Sequence, residues 1–157
     1  MLPLPFSALK ASFPVLGNPL NHGKTVTLTF DQFRYGFANA VSEEEAHRLY
    51  ETFHTPAPGR PLFQAATANL IPWTVVKAEK QAADRGPMLV ISGEKDHIVP
   101  YALAHAAYKQ QKKNSGVTEF VEIPGVGHSL VIDSHWNEVA DAALAFLDKQ
   151  GLTPQAS

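Results

Sequence analysis

The apolar positions of this chain follow two regimes that meet near residue 86. Before that point they recur at three- and four-residue spacing between proline-rich breaks. After it, short apolar runs of strand length alternate with helical stretches. Residues 1–28 carry Pro3, Pro5, Pro14 and Pro19 among Leu2, Leu4, Phe6, Phe13 and Val15, with no clean period. This reads as an extended, partly buried segment. Thr29 then precedes Phe30, Phe33 and Phe37, one face of a helix that Gly36 weakens and Asn39 ends. Ser42 and Glu45 have the spacing of a capping box, and Glu43 and Glu44 put negative charge in the first turn, where the helix dipole favours it. Ala46, Leu49, Tyr50 and Phe53 form the buried stripe of that second helix. The run His54 to Pro61 stops it with three prolines and a glycine. Leu62 to Leu70 reads as a third short helix.

The charged segment Lys77 to Arg85 leads into Met88–Ser92, a fully apolar strand. Tyr101–Lys113 reads as a helix with Leu103, Ala106 and Ala107 inward. Val117–Ile123 is a second, more polar strand, placed nearer a sheet edge. Ser134 caps a last helix whose buried face is Trp136, Val139, Ala140, Ala143, Leu144 and Leu147, and Gly151 closes it. Strand, helix and strand at this spacing make a parallel crossover. The fold class is therefore α/β: a helical segment over residues 1–86, then a β-α-β-α unit over 87–157 with two parallel strands.

Composition narrows the function. A chain of 157 residues, 45% hydrophobic, has the length and core of one ordinary domain. A net charge of −2 with no basic block argues against nucleic acid or an anionic membrane as partner. The absence of cysteine excludes disulfides, thiolate chemistry and cysteine zinc sites. The first residues have no basic region before an apolar run, so they read as neither a signal peptide nor a membrane span, and a cytoplasmic location is the default expectation.

Two loops carry candidate chemistry. Gly93-Glu94-Lys95-Asp96 follows the first strand of the second half, and Gly125-Val126-Gly127-His128 follows the next. An acid and a histidine at the ends of consecutive parallel strands can orient a catalytic base. Each residue also has a plainer role. Asp96 serves equally as a helix cap or in a local Asx-turn, and His128 as a loop histidine beside glycines that any tight turn favours. Glu44-x-x-His47 has the spacing of di-iron bundles, but it occurs once and the helix cap accounts for its glutamates. His97 and His105 lack a third ligand at short spacing, so neither a metal nor a cofactor is expected. Phe33, Phe37 and Trp73 are candidates for an apolar substrate pocket; at helical spacing, ordinary core packing explains the phenylalanines as well.

The two loops resemble a known family. Ile91-Ser92-Gly93-Glu94-Lys95-Asp96-His97-Ile98-Val99-Pro100 is similar to the acid loop of bacterial α/β hydrolases. Val121 to Leu130 is similar to their histidine loop, and Phe30 to Phe37 to their lid sequences. Chain order in that family is nucleophile, acid, histidine. The resemblance therefore implies the lid plus the last two strands of a serine-type, esterase-like hydrolase, with Asp96 and His128 as two members of a catalytic triad. The family's Gly-x-Ser-x-Gly turn is missing here: Ser92 stands between Val90 and Glu94, and Ser129 between Gly127 and Val131. An oxyanion segment of the His-Gly-Gly-Gly type is missing too. The expectation is a fragment that begins after the nucleophile and is inactive alone. Its partners would be a small apolar ester in the complete enzyme, and a missing N-terminal half or a second copy. The competing expectation is a non-catalytic binding module that pairs through an exposed strand edge. Haloperoxidase or dehalogenase chemistry is open within the same fold.

Overall fold

The computed structural model describes residues 5–68, 82 and 84–152. Their order is α1 (Phe6–Leu16), a 3-10 turn (Pro19–Gly23), β1 (Thr25–Val26), α2 (Phe30–Gly36), α3 (Glu43–Phe53), β2 (Ala57–Pro58), α4 (Arg60–Thr67), β3 (Met88–Gly93), α5 (Tyr101–Gln111), β4 (Thr118–Ile123) and α6 (Trp136–Lys149). The chain is mixed α/β, with an antiparallel pair β1–β2 and a parallel pair β3–β4.

The first departure from the pattern is α1, a helix where an extended segment was expected. Its prolines sit where a helix tolerates them. Pro5 is the extended residue before the first turn, and Pro14 falls in the last turn, where Gly17 N–H still closes onto Phe13 O at 2.8 Å. The inward face is made of small residues, with Ala8 buried and Ala11 and Ser12 half-buried. The large side chains that masked the period, Phe6 and Phe13, are 80% and 69% exposed. A second departure is β1–β2, a two-residue bridge pairing Thr25 with Pro58 and Val26 with Ala57. It ties the segment after α1 to the proline-rich loop after α3.

Thr29 and Gln32 cap α2 reciprocally. The expected box on α3 is only half formed. Ser42 accepts from Glu45 N–H at 3.2 Å, but the Glu45 carboxylate turns away and accepts from Ser134 N–H at 2.7 Å and Ser134 Oγ at 2.8 Å. Ser134 is thereby drawn off its expected capping role, and α6 starts one residue later behind His135. Phe33, Ala38, Ala46 and Leu49 form the core of the helical part, packed by Leu28, Phe30, Phe37 and Tyr50.

The β3–β4 pair is covered on both faces. Ile91, Val121, Ile123 and Val126 pack on Val139 and Ala142 of α6. Phe120 points the other way, into the rings of Tyr101, His105 and Tyr108 on α5. Arg85, three residues before β3, pins the start of β4 through Val117 O, Gly116 O and Thr118 Oγ1. Met88 to Ile91 are only half-buried, although their sequence is that of a strand enclosed on all sides. Two expected faces also shift. Ala104, not Ala107, is the buried alanine of α5. On α6 the buried residues are Val139 and Phe146, whereas Trp136 and Leu144 are 52% and 57% exposed. Among the described residues no helix is long and apolar enough to cross a membrane.

Candidate active site

The loops after β3 and β4 run together because glycine lets them touch. A Cβ on Gly93 would lie 2.6 Å from both Val126 O and Gly127 O, so only a residue without one fits there. Gly125 adopts φ +73°, which turns the chain after β4 and aims its N–H at Glu94 Oε2, 2.7 Å away. Glu94 N–H to Ile123 O and Lys95 N–H to Val126 O complete the seam, at 3.1 and 2.9 Å.

Asp96 and His128 meet across that seam. His128 Nδ1 lies 2.9 Å from Asp96 Oδ2, with the aspartate side chain 4% exposed and the histidine 28%. The other aspartate oxygen, Oδ1, accepts from Ile98 N–H and Val99 N–H, each at 2.8 Å. The Asx-turn and the histidine contact are therefore not rivals, since each takes one carboxylate oxygen. Burial pushes the Asp96 pKa up, but the bonds from His128, Val99 and Ile98 outweigh it and hold the carboxyl below its ordinary value. An ionised carboxylate only accepts, so the tautomer consistent with this contact carries the proton on Nδ1 and leaves the Nε2 lone pair free. A histidine held in that state can take a proton from a hydroxyl placed at Nε2.

No described hydroxyl occupies that place. Ser129 Oγ donates to Phe37 O at 2.7 Å, Ser134 Oγ is held by Glu45, and Ser92 lies 2% exposed in the strand end. The remaining histidines have other company. His97 Nδ1 is 2.8 Å from Tyr35 O with its ring on Tyr35, His47 stacks on Phe30 at 3.8 Å, and His105 belongs to the aromatic cluster on α5. Among the described residues no group of three or more acidic or histidine side chains is placed to hold a metal.

A pocket of about 680 Å³ lies mainly in the helical part; neither Asp96 nor His128 is among its described lining residues, and Phe37 and Ile98 connect it to the pair. Phe33 and Phe37 both line it; Phe33 is at the same time a core residue, 6% exposed. The Phe37 ring stands edge-on to His128, with centroids 5.3 Å apart. Trp73 lies outside the described residues. Most of the wall comes from the helical part, such as Val15, Phe53 and Leu62; Ile98, whose N–H binds Asp96, and Ile132, three residues past Ser129, are its contribution from the second half. Neither isoleucine stood out as a pocket residue from sequence, although an isoleucine just past each loop is a visible apolar signal. Asn39, Glu45 and Ser129 were read as a helix end, a helix cap and a serine outside the nucleophile motif; in the fold their polar contacts tie the helical part to Lys95, to the segment before α6 and to the histidine loop, and residue type alone does not announce such tethers.

Neither a family model nor a curated protein matches the chain. Three solved structures do, all of esterase 2 from Thermogutta terrifontis. The apo form is 21% identical over 45% of this chain and 28% of its own, with a TM-score of 0.38. The form phosphonylated by cyclosarin is 19% identical over 57% of this chain and 38% of its own, and the form phosphoramylated by tabun likewise over 57% and 39%; both have a TM-score of 0.43. The chain thus spans less than two-fifths of the esterase chains that it resembles.

Proposed function

We propose that this chain is the lid-bearing, C-terminal portion of a serine-type, esterase-like α/β hydrolase, in which Asp96 and His128 serve a nucleophile supplied from outside the 157 residues. The observation that carries the reading is the 2.9 Å contact between His128 Nδ1 and the buried Asp96, made at the ends of two adjacent parallel strands. Asp96, fixed by two backbone N–H groups, keeps the Nδ1 proton in place. The free Nε2 of His128 then takes the proton of the attacking serine and returns it to the leaving alcohol, while Asp96 stabilises the imidazolium between those steps. The neighbouring pocket supports an apolar acyl group as substrate. Among the described residues no Lys, Arg, Asp or Glu lines it, so a charged substrate would find no counter-ion there. Residues 1–86 act as the lid in this reading, and neither a metal nor a cofactor takes part.

The test is to express the chain joined to the segment encoded directly upstream of Met1 and to assay short p-nitrophenyl esters. Turnover that falls by roughly 10³-fold or more in His128→Ala, with the fold intact, supports the reading. Turnover indifferent to His128 sinks it.

One observation favours a second reading. The β3 edge away from β4 has no partner strand among the described residues, and its apolar side chains are half-exposed. A binding module would use that edge to add a strand from a partner. It predicts partner capture that survives His128→Ala and is lost when a charge is placed on β3.

A further inference from the structure

Asn39 lies just beyond α2, 57 residues from Asp96 and 89 from His128 in sequence, yet it bonds the residue immediately before the first and crowds the space over the residue immediately before the second. Its Nδ2 donates to Lys95 O at 2.8 Å. Its Oδ1 lies 3.1 Å from the position that a Cβ on Gly127 would occupy, and Ala40 Cβ closes on the same point at 3.1 Å. The side chain is therefore wedged between the acid loop and the histidine loop, one residue upstream of the pair in both. The bonds within the seam run between the two loops directly. Asn39 spans them from a third element, so it limits how far they can slide past each other.

The same amide contributes little to stability by itself. Its Oδ1 is closed off from solvent and has no hydrogen-bond partner. A buried acceptor left unpaired offsets much of what the Nδ2 bond contributes. Removing the whole side chain deletes one good bond and one unsatisfied atom together, so its effect on global stability is small. Its effect on the spacing of the loops is not compensated in that way. Gly127 also fits this arrangement, because a side chain there would push Asn39 and Ala40 out of place.

We propose that Asn39 is a positioning residue: it fixes the separation of Asp96 and His128 by bonding Lys95 O and packing over Gly127, and so sets the strength of the Nδ1–H···Oδ2 hydrogen bond. The proposal rests on the hydrolase reading for its purpose, but its geometry and its test do not need catalysis.

The experiment uses the 157-residue chain and follows the His128 Nδ1 proton as a low-field resonance in proton NMR, assigned by its loss in Asp96→Asn. Asn39→Ala removes both contacts, and Asn39→Asp keeps the shape but replaces the donor with an oxygen facing Lys95 O. Both are expected to move the resonance upfield and to speed its exchange with water roughly fivefold, the equivalent of about one net hydrogen bond. Gln32→Ala, which breaks the α2 cap away from the pair, serves as a control for general destabilisation and should leave the resonance in place. Should Asn39→Ala fail to fold, Asn39→Asp is the variant read. An unchanged resonance in the folded Asn39 variants overturns the proposal, as does an equal change in Gln32→Ala. If the resonance responds as expected but the upstream-joined protein shows no esterase activity, the hydrolase reading fails and the positioning role stands.

Discussion

Asp96 concentrates three hydrogen bonds on one buried carboxylate, and the sign of its pKa shift turns that into a measurable dependence on pH. Its folded value lies below the ordinary one, so the unfolded chain binds more protons in the window between the two. The stability it contributes is present in full above the ordinary carboxylate pKa and is lost as pH falls through the depressed folded value. Asp96→Asn should therefore unfold more easily than the parent at pH 7, by about 2 kcal/mol, the scale of hydrogen bonds to a charged group. The gap should close in acid. Parallel urea titrations at pH 7 and pH 2.5 check this, and a gap that persists unchanged at pH 2.5 contradicts the assignment of the charge. At this scale the sequence was readable where a residue's chemistry is local. A glycine, two residues and an aspartate after an apolar run pointed to Asp96, and glycines before His128 pointed to its loop. It was unreadable where the role depends on a distant partner. Glu45 looked like a cap completing its own helix, and only the fold brings Ser134 to it.

Among the elements, strand and helix periods were readable when large side chains marked the buried face. The faces of α2 and α3, through Phe33, Ala46 and Leu49, are of that kind. The period of α1 was hidden because its inward face is Ala8, Ala11 and Ser12 while its phenylalanines point outward. The α6 face was misjudged for a related reason. Apolar residues occur all round that helix, and the narrow β3–β4 pair can cover only the part bearing Val139 and Ala142. What an element's end does is sharper than what its middle does. The end of β3 meets the histidine loop through Gly93, where even a methyl group would strike two backbone carbonyls. Backbone cannot yield as a flexible side chain can, so Gly93→Ala should separate the two loops. The expected cost is about 1–3 kcal/mol, the usual scale of overpacking. Faster amide exchange at Lys95 and Gly125, whose N–H groups bridge the seam, would report the separation directly. A variant with parental stability and exchange would show that the loops can part without loss, and that Gly93 does not hold the pair in register.

For the whole molecule the dominant fact is uncovered apolar surface. Two strands make the parallel sheet among the described residues, and the residues of β3 that would be enclosed in a wider sheet are half-exposed. Phe6 and Phe13 on α1, Val131 in the loop before α6, and Trp136 and Leu144 on α6 add residues that are 52–80% exposed. Isolated apolar residues on a surface are ordinary, but an unpaired strand edge beside them is a template for another chain. The net charge of −2 supplies little repulsion to keep copies apart. The 157-residue chain on its own is therefore expected to self-associate, with a sedimentation coefficient that rises with concentration and a thermal transition that sharpens as it does. A lysine at Leu89, on the α6 side of β3, places a charge in the strand that the association uses, and should return the chain toward monomer if it still folds. Lysine at Val131, exposed in the loop and away from the edge, separates a strand-mediated contact from general stickiness: it should leave the association largely in place. A sharp, concentration-independent monomeric transition in the parent chain would mean that the β3 edge is satisfied without a partner, and the readings that supply one from outside would lose their physical motive.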